Sequence, residues 1–317
     1  MRKWLIVLLI LLVFFNVSVF LFIPATLNIS KIVYINCSKN SAGRYLLDQS
    51  KWQNWWPGNK PALRSFNGAL TSTFSFREYS HQATAFFTDK IEVLTRNGHD
   101  SLNTILNILP ADKNLIVIQW RCSMRTSLHP ITRILEYRRA TRLRNNMSSI
   151  LTNLQTFLEK TSNVYGFHIE EIISKDSTLV ATRYITAKYP GTVEVYGLID
   201  TLRDYISRQG ATETNHPMLR ISKINENEFQ TMVAIATNKK LPGNGPVFFQ
   251  HFVPWKTLTG TVNGGTYTIE QAFRQLEVYV SDNQRTSMAV PFQLLVTDRT
   301  FVKDSSKWVT VICQPVS

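Results

Sequence analysis

From Trp4 to Ile23 the chain reads WLIVLLILLVFFNVSVFLFI, 20 residues without a charge. As a helix rising about 1.5 Å per residue, such a run covers roughly 30 Å, the thickness of a bilayer's hydrocarbon core. Asn16 and Ser18 are its only polar side chains. A cleaved signal peptide wants an apolar core of about 7–15 residues and a small-x-small cleavage site. Here the run is too long, cleavage after Ala25 leaves bulky Ile23 three residues upstream, and Cys37 is too distant to be a lipoprotein acceptor. Residues 1–25 therefore read as a retained single-pass anchor. Arg2 and Lys3 precede the run, whereas Lys31 and Lys39 follow at a distance, so the positive-inside rule places the soluble part outside the cytoplasm.

The remainder is long enough for two domains of ordinary size. At 44% hydrophobic and 18% charged its composition is globular. Cys37, Cys122 and Cys313 are scattered and form neither a disulfide framework nor a zinc pattern. A Cys37–Cys122 bridge or simple burial as small apolar groups both remain open. Charge is uneven: residues 26–165 hold 18 Lys and Arg against 8 Asp and Glu, whereas residues 166–317 hold 15 against 14. A basic, membrane-proximal domain fits an anionic lipid surface. Nucleic acid is not an expected partner, because no helix-turn-helix, zinc-finger or RNA-binding signature occurs.

Residues 26–163 read as one α+β domain. Asn28–Ser38 has strand character, Asn40 to Trp56 is helix-compatible and ends at Pro57-Gly58, and strands are expected at Ala69–Phe76, Gln82–Phe87, Lys90–Arg96, Ser101–Ile108 and Leu115–Met124. From Pro130 to about Lys160 an apolar stripe (Ile131, Ile134, Leu135, Leu143, Met147, Ile150, Leu151, Leu154, Phe157, Leu158) predicts a long helix. Such a helix buries its stripe on a curved sheet and often leaves a cavity beneath it. The stretch Asp48-Gln49-Ser50-Lys51-Trp52-Gln53-Asn54-Trp55-Trp56-Pro57 resembles the signature of the START-like helix-grip family (polyketide cyclase-like, SRPBCC). That resemblance implies a cavity for lipids or hydrophobic metabolites and no universal catalytic set.

Residues 164–317 contain an internal repeat. An offset of 74 pairs Thr192 with Thr266, Leu202 with Leu276, Tyr205 with Tyr279, Thr212 with Thr286 and Pro217 with Pro291. Each half reads as strand (Ser177–Ala187; Val247–Val262), helix (Thr192–Arg208; Thr266–Ser281) and two strands (Met218–Ile224 and Glu228–Thr237; Phe292–Asp298 and Trp308–Pro315). Paired halves would form one sheet with helices on one face and a groove at the pseudo-twofold axis. Thr192-Val193, the run Leu198-Ile199-Asp200 with Leu202 and Tyr205-Ile206, Gly210-Ala211, Pro217 and the closing Trp308 to Pro315-Val316 resemble the GyrI-like effector-binding domain of AraC-type and MerR-type regulators. That family's last strand carries a glutamate four residues before its closing proline; here the position is Val311. A valine neither pairs with a cation nor acts as a general base, so the groove is expected to take a neutral, hydrophobic ligand or, as the alternative, to serve as a docking surface without a small ligand.

No catalytic set stands out. The six histidines are dispersed, with no metal-ligand spacing, P-loop, Rossmann fingerprint or nucleophile elbow. Neither metal nor cofactor is expected. Candidate ligand contacts are Tyr184, Tyr196, Trp255, Trp308 and Val311 in the distal domain and Trp52 and Trp55 in the proximal one, with core packing as the alternative for each aromatic. Arg138, Arg139 and Arg142 are candidates for membrane-surface contact. The expected function is a membrane-anchored, non-catalytic protein that binds a small hydrophobic molecule or lipid. The alternative is a hydrolase or cyclase-type enzyme working on a hydrophobic substrate in one of the two cavities.

Overall fold

The computed structural model describes residues 2–58, 65–66, 69–70, 72–98, 100–174, 178–251 and 254–317. It is a mixed α+β chain with an apolar N-terminal helix and two curled antiparallel sheets, divided into compact units Met1–Lys160 and Thr161–Ser317.

Unit 1 opens with α1 (Arg2–Phe22), whose apolar side chains are exposed almost throughout; Val19 in its last turn and Ile23 just after it are buried. β1 (Thr26–Ile35) follows after three residues. Next come α2 (Lys39–Leu46), a 3-10 turn over Gln49–Asn54, and β2 (Ser65–Phe66) paired with β3 (Ala69–Leu70). The strands β4 (Phe74–Phe76), β5 (Tyr79–Phe86), β6 (Lys90–Asn97), β7 (Asp100–Asp112) and β8 (Leu115–Arg125) join β1 in the order β1-β8-β7-β6-β5-β4. Inward alternation buries Ile116, Ile118 and Trp120 of β8, as the two-residue period of a strand requires. α3 (Pro130–Leu158) packs along β1 and β8 and buries Leu143, Met147, Ile150, Leu151, Leu154 and Leu158 of the expected stripe, whereas Ile131 and Leu135 in its first two turns are exposed.

The stretch Asn40–Trp56 is not one helix. Asp48 accepts from the amide of Ser50 at 3.0 Å and caps a new turn, so the chain breaks after α2 and swings Trp52 inward. The strand expected over Ala69–Phe76 is two short pieces, with Thr71 outside the described residues. Cys122 is not disulfide-bonded. It lies opposite Ile29 on β1, and the strand runs six residues further, roughly 20 Å at about 3.3 Å per residue, to its end at Ile35 before Cys37, too far for a disulfide.

Unit 2 comprises α4 (Thr161–Tyr165), β9 (Glu170–Ile173), β10 (Thr178–Thr186), α5 (Thr192–Arg208), β11 (Met218–Asn225), β12 (Glu228–Ala236), β13 (Phe248–His251), β14 (Lys256–Asn263), α6 (Thr266–Asp282), β15 (Phe292–Leu295) and β16 (Val309–Val316). The sheet order is β13-β10-β12-β11-β15-β16-β14-β9, so β10-β12-β11 and β14-β16-β15 mirror each other across the β11–β15 junction. That junction has only two residue pairs, Met218 with Leu294 and Leu219 with Gln293. The strand expected over Val247–Val262 is two strands; residues 252–253 between them lie outside the described residues, and Pro254, which lacks an amide donor, precedes β14. α5 places Val195, Tyr196, Ile199, Leu202, Tyr205 and Ile206 in a core with Leu219, Val233, Ile235 and Leu295.

The two long helices of unit 2 end alike but with different residues. After α5, Gly210 sits at φ 59° and the next amide, of Ala211, returns to the Ile206 carbonyl at 3.1 Å. After α6, Gln284 takes φ 51° and Arg285 returns to Val280 at 2.9 Å. A left-handed side-chain residue costs about 1–2 kcal/mol, and glycine gives back about 0.5–1 in chain entropy. Gln284→Gly is therefore expected to stabilise unit 2 by about 0.5–1 kcal/mol, and Gly210→Gln to cost a similar amount, read from urea-unfolding midpoints.

Candidate functional site

In unit 2 a groove of about 360 Å³ opens between the first turns of α5 and α6 and the splayed end of the β11–β15 junction. Both helices start from a glycine, Gly191 and Gly265, in extended conformation. α5 contributes Thr192, Val195 and Tyr196; α6 contributes Thr266, Ile269, Glu270 and Phe273. Tyr189 and Phe292 add aromatic wall, and Arg220, Arg299 and Trp308 complete it. The lining is therefore mostly apolar and aromatic with a few polar groups, the usual make-up of a small-molecule site.

Arg299 is the centre of its electrostatics. Its guanidinium lies over the Trp308 ring at 4.6 Å, and donates to the side-chain carbonyl of Gln293 at 3.2 Å and the hydroxyl of Thr310 at 3.0 Å. Both acceptors are neutral, and among the described residues Arg299 forms no salt bridge. Burial pushes its pKa below the usual arginine value, with Tyr196 and Tyr189 acting in the opposite direction; the group still stays charged. Trp308 is held by donation from its indole nitrogen to the Val302 carbonyl at 2.8 Å.

Tyr196 is locked. Its hydroxyl donates to the Thr297 carbonyl at 3.1 Å and accepts from the Arg299 amide at 2.8 Å. Burial raises its pKa, as it does that of Tyr189. Glu270 is solvent-exposed and pairs with Arg274 at 3.7 Å. Arg220 leaves its Nε buried without a hydrogen-bond partner among the described residues. No group of three or more His, Cys, Asp or Glu that could hold a metal ion occurs among the described residues.

Of the residues expected from sequence, Tyr196 and Trp308 line this groove. Tyr184 is exposed on β10 opposite Thr231. Trp255 is half-buried just before β14, where its carbonyl accepts from Ser174. Val311 pairs with Leu294, whereas its neighbours Thr310 and Ile312 pair with Leu295 and Gln293; strand alternation puts Val311 on the face away from the helices. That face carries a second, smaller cavity of about 130 Å³ lined by Leu179, Met218, Met232, Ala234 and Phe292.

Unit 1 has its own cavity, about 260 Å³, between α3 and the sheet end where β1 begins. Ile29, Leu102, Met124 and Leu143 line it, with Asp100, Arg125, Glu136 and Arg139 among its polar residues. Thr95, also in the lining, connects to His81, which is wholly buried. Trp52 and Trp55 line neither cavity: both are buried, their indoles donate to the Leu46 and Tyr45 carbonyls, and Trp52 stacks on Trp56 at 5.7 Å. Arg139 pairs with Asp100 at 2.9 Å and Arg142 with Glu78 at 3.6 Å, whereas Arg138 is exposed without a salt bridge among the described residues.

No protein-family model matches the chain, and no curated protein matches it. Several solved structures resemble it. The EcmrR C-terminal domain is 17% identical, covering 48% of this chain and 98% of its own, with a TM-score of 0.42. A hydrolase from Listeria innocua is 10% identical over 47% of this chain and 91% of its own, TM-score 0.37. SAV2435, solved bound to tetraphenylphosphonium, is 14% identical over 47% of this chain and 94% of its own, TM-score 0.32. At TM-scores below 0.5, these likenesses leave the chain's function to be read from its own residues.

Proposed function

We propose that the chain is a membrane-anchored, non-catalytic binding protein whose small-molecule site is the groove of unit 2. The observation that carries this reading is the aromatic and apolar groove closed around Arg299, a half-buried cation with only neutral acceptors. A ligand that fills the groove and brings an anionic or strongly accepting group to Arg299 supplies the missing charge partner. This replaces the neutral ligand expected from Val311, which faces away. The groove is not arranged for acid–base work: both capacities of the Tyr196 hydroxyl are taken by backbone groups, and Glu270 is in solvent.

The mirrored strand order of unit 2 supports the reading of residues 164–317 as a duplicated GyrI-like module. The long helix over a six-stranded antiparallel sheet supports a START-like reading of residues 26–163. For the anchor, α1 is uncharged from Trp4 to its end at Phe22 and is long and apolar enough to cross a membrane. Its end is tied into unit 1: the buried Arg133 donates to the Ile23 carbonyl through Nε at 2.8 Å and a terminal nitrogen at 2.5 Å. Cleavage after Ala25 would strip this guanidinium of its acceptor, an unfavourable loss for a buried charge, which favours retention. With Arg2 and Lys3 on the far side of α1, the units face away from the cytoplasm.

Titration calorimetry on the detergent-solubilised full chain tests the groove with two aromatic probes of opposite charge, 2-naphthoate and tetraphenylphosphonium. The expected result is saturable 2-naphthoate binding that Arg299→Gln weakens about 10–100-fold, the loss of one charge-assisted hydrogen bond of about 1.5–3 kcal/mol. Tetraphenylphosphonium binding is expected to be no weaker in the variant. No binding of either probe, or 2-naphthoate binding indifferent to Arg299, would overturn the reading.

A further inference from the structure

The end of unit 1 where α1 enters carries apolar side chains held in the open. Leu128 is 85% exposed, Ile131 60% and Leu135 49%. Leu128 does not sit in a loose loop. The preceding amide, of Ser127, donates to the Glu136 carboxylate at 2.6 Å, and the following one, of His129, donates to the Ser127 hydroxyl at 3.1 Å. A leucine fixed in solvent by its own turn loses the option of folding back onto the protein, and fixed exposed apolar groups next to one another mark a contact surface.

What covers them follows from where they are. Two residues before Leu128, Thr126 donates through its hydroxyl to the Pro24 carbonyl and through its amide to Ala25, each at 2.9 Å. Five residues after Leu128, Arg133 holds the Ile23 carbonyl and lies over the Phe20 ring at 4.7 Å. Leu128 and Ile131 are thus bracketed by residues bonded to Ile23, Pro24 and Ala25, the segment that directly follows α1. At about 1.5 Å per helical residue, Ile131 lies roughly 3 Å along α3 from Arg133. Ile131 therefore stands near the residue that holds the chain just past α1, and Leu128 two residues from the one that holds Pro24 and Ala25.

The same face of α3 changes character along its length. Ile131, Leu135, Arg138 and Arg142 follow at helical spacing and are all exposed. Apolar groups therefore lie next to the end of α1, and Arg138 comes two turns further out, the order in which acyl chains and phosphates are met on leaving a bilayer. Arg125, opposite Thr26 at the start of β1, adds a cation at this end. Glu136 and Asp100 are the acidic groups there, and they are occupied by Ser127 and Arg139.

We propose that this end of unit 1 is a second bilayer contact, with Leu128 and Ile131 in the boundary between headgroups and acyl chains and Arg138 at the phosphates of anionic lipid. The inference rests on α1 being a membrane span. It goes beyond anchorage, because a tethered domain need not touch the lipid at all.

The full chain, reconstituted in phosphatidylcholine–phosphatidylglycerol vesicles, tests it with a fluorescent amino acid placed singly at four positions. These are Val13 in α1, Leu128, Ile131, and Lys113 in the turn at the opposite end of the sheet, beyond the Ile35–Ile116 pair. Brominated phospholipid is the quencher. Quenching at Val13, Leu128 and Ile131, with Lys113 unaffected, is the expected result. Quenching at Val13 alone overturns the docking surface and leaves the anchor standing. An unquenched Val13 removes the anchor and the proposal together. Blue-shifted emission at Leu128 that needs high protein density and resists lipid quencher identifies a second copy as the occupant and overturns the proposal.

Discussion

Trp52→Ala is expected to cost about 3–5 kcal/mol, the range for removing a large aromatic from a closed core, and to unfold unit 1 selectively. Trp52 is 1% exposed, stacks on Trp56, contacts Trp55 and Phe74 at ring-centroid distances of 5.5 Å, and spends its indole donor on Leu46. Hydrogen exchange on the full chain would show amides of β1 and β8 losing protection while those of β10 and β12 keep it. Binding of 2-naphthoate in unit 2 should survive. Were Trp52 a ligand contact instead, the variant would keep its protection.

A second large effect is expected from His81. Its Nδ1 lies 2.9 Å from the Thr95 hydroxyl and its Nε2 3.1 Å from the Asn146 carbonyl oxygen. Asn146 donates to the Phe76 carbonyl at 2.8 Å, so its oxygen faces the imidazole and Nε2 must be the donor. Trp56 and Trp120 lie at ring distances of 5.4 and 5.2 Å. Burial, opposed by the Asn146 hydrogen bond, lowers the His81 pKa to about 4. In the unfolded chain it titrates near 6.5, so between about pH 6.5 and 4 the unfolded state binds the extra proton. The contribution is fully present above 6.5 and lost as pH falls towards 4, about 3 kcal/mol in all. Wild type should therefore lose about that much more stability than His81→Gln between pH 7 and pH 4, in urea titrations followed by tryptophan fluorescence. Parallel pH profiles would mean that His81 is not a buried neutral group.

Particular residues explain what the sequence made legible. The stripe on α3 predicted a helix ending near Lys160, and the observed one ends at Leu158, because a run of core-facing positions at 3.6-residue spacing leaves one solution. The stretch before Pro57 misled because its aromatic spacing suits a helix, while the Asp48 side chain offers the Ser50 amide an alternative partner. In the groove, Tyr196 and Trp308 were found by kind. Arg299 was not: it follows β15 in an irregular segment, and only the fold brings it to Gln293 and Thr310. Glu270 had a usable signal. The offset of 74 that pairs Thr192 with Thr266 also maps Tyr196 onto Glu270, so the repeat itself pointed to the two helix positions facing the groove. The side of the sheet on which Val311 lies depended on strand register, which one residue of slip inverts.

The narrow β11–β15 junction has a mechanical consequence. Beyond its two residue pairs and one further backbone bond, from the Leu295 amide to the Pro217 carbonyl at 2.9 Å, side chains link the blocks on either side of the junction, among them the Tyr196 hydroxyl bonded across to Thr297 and Arg299. A molecule lying in the groove touches α5 from one half and α6, Arg299 and Trp308 from the other. It therefore works as a clasp: its binding energy adds to the cohesion of a seam that backbone pairing alone leaves thin. Without it, the halves should breathe apart at that seam before either sheet block melts, and with it they should open as one.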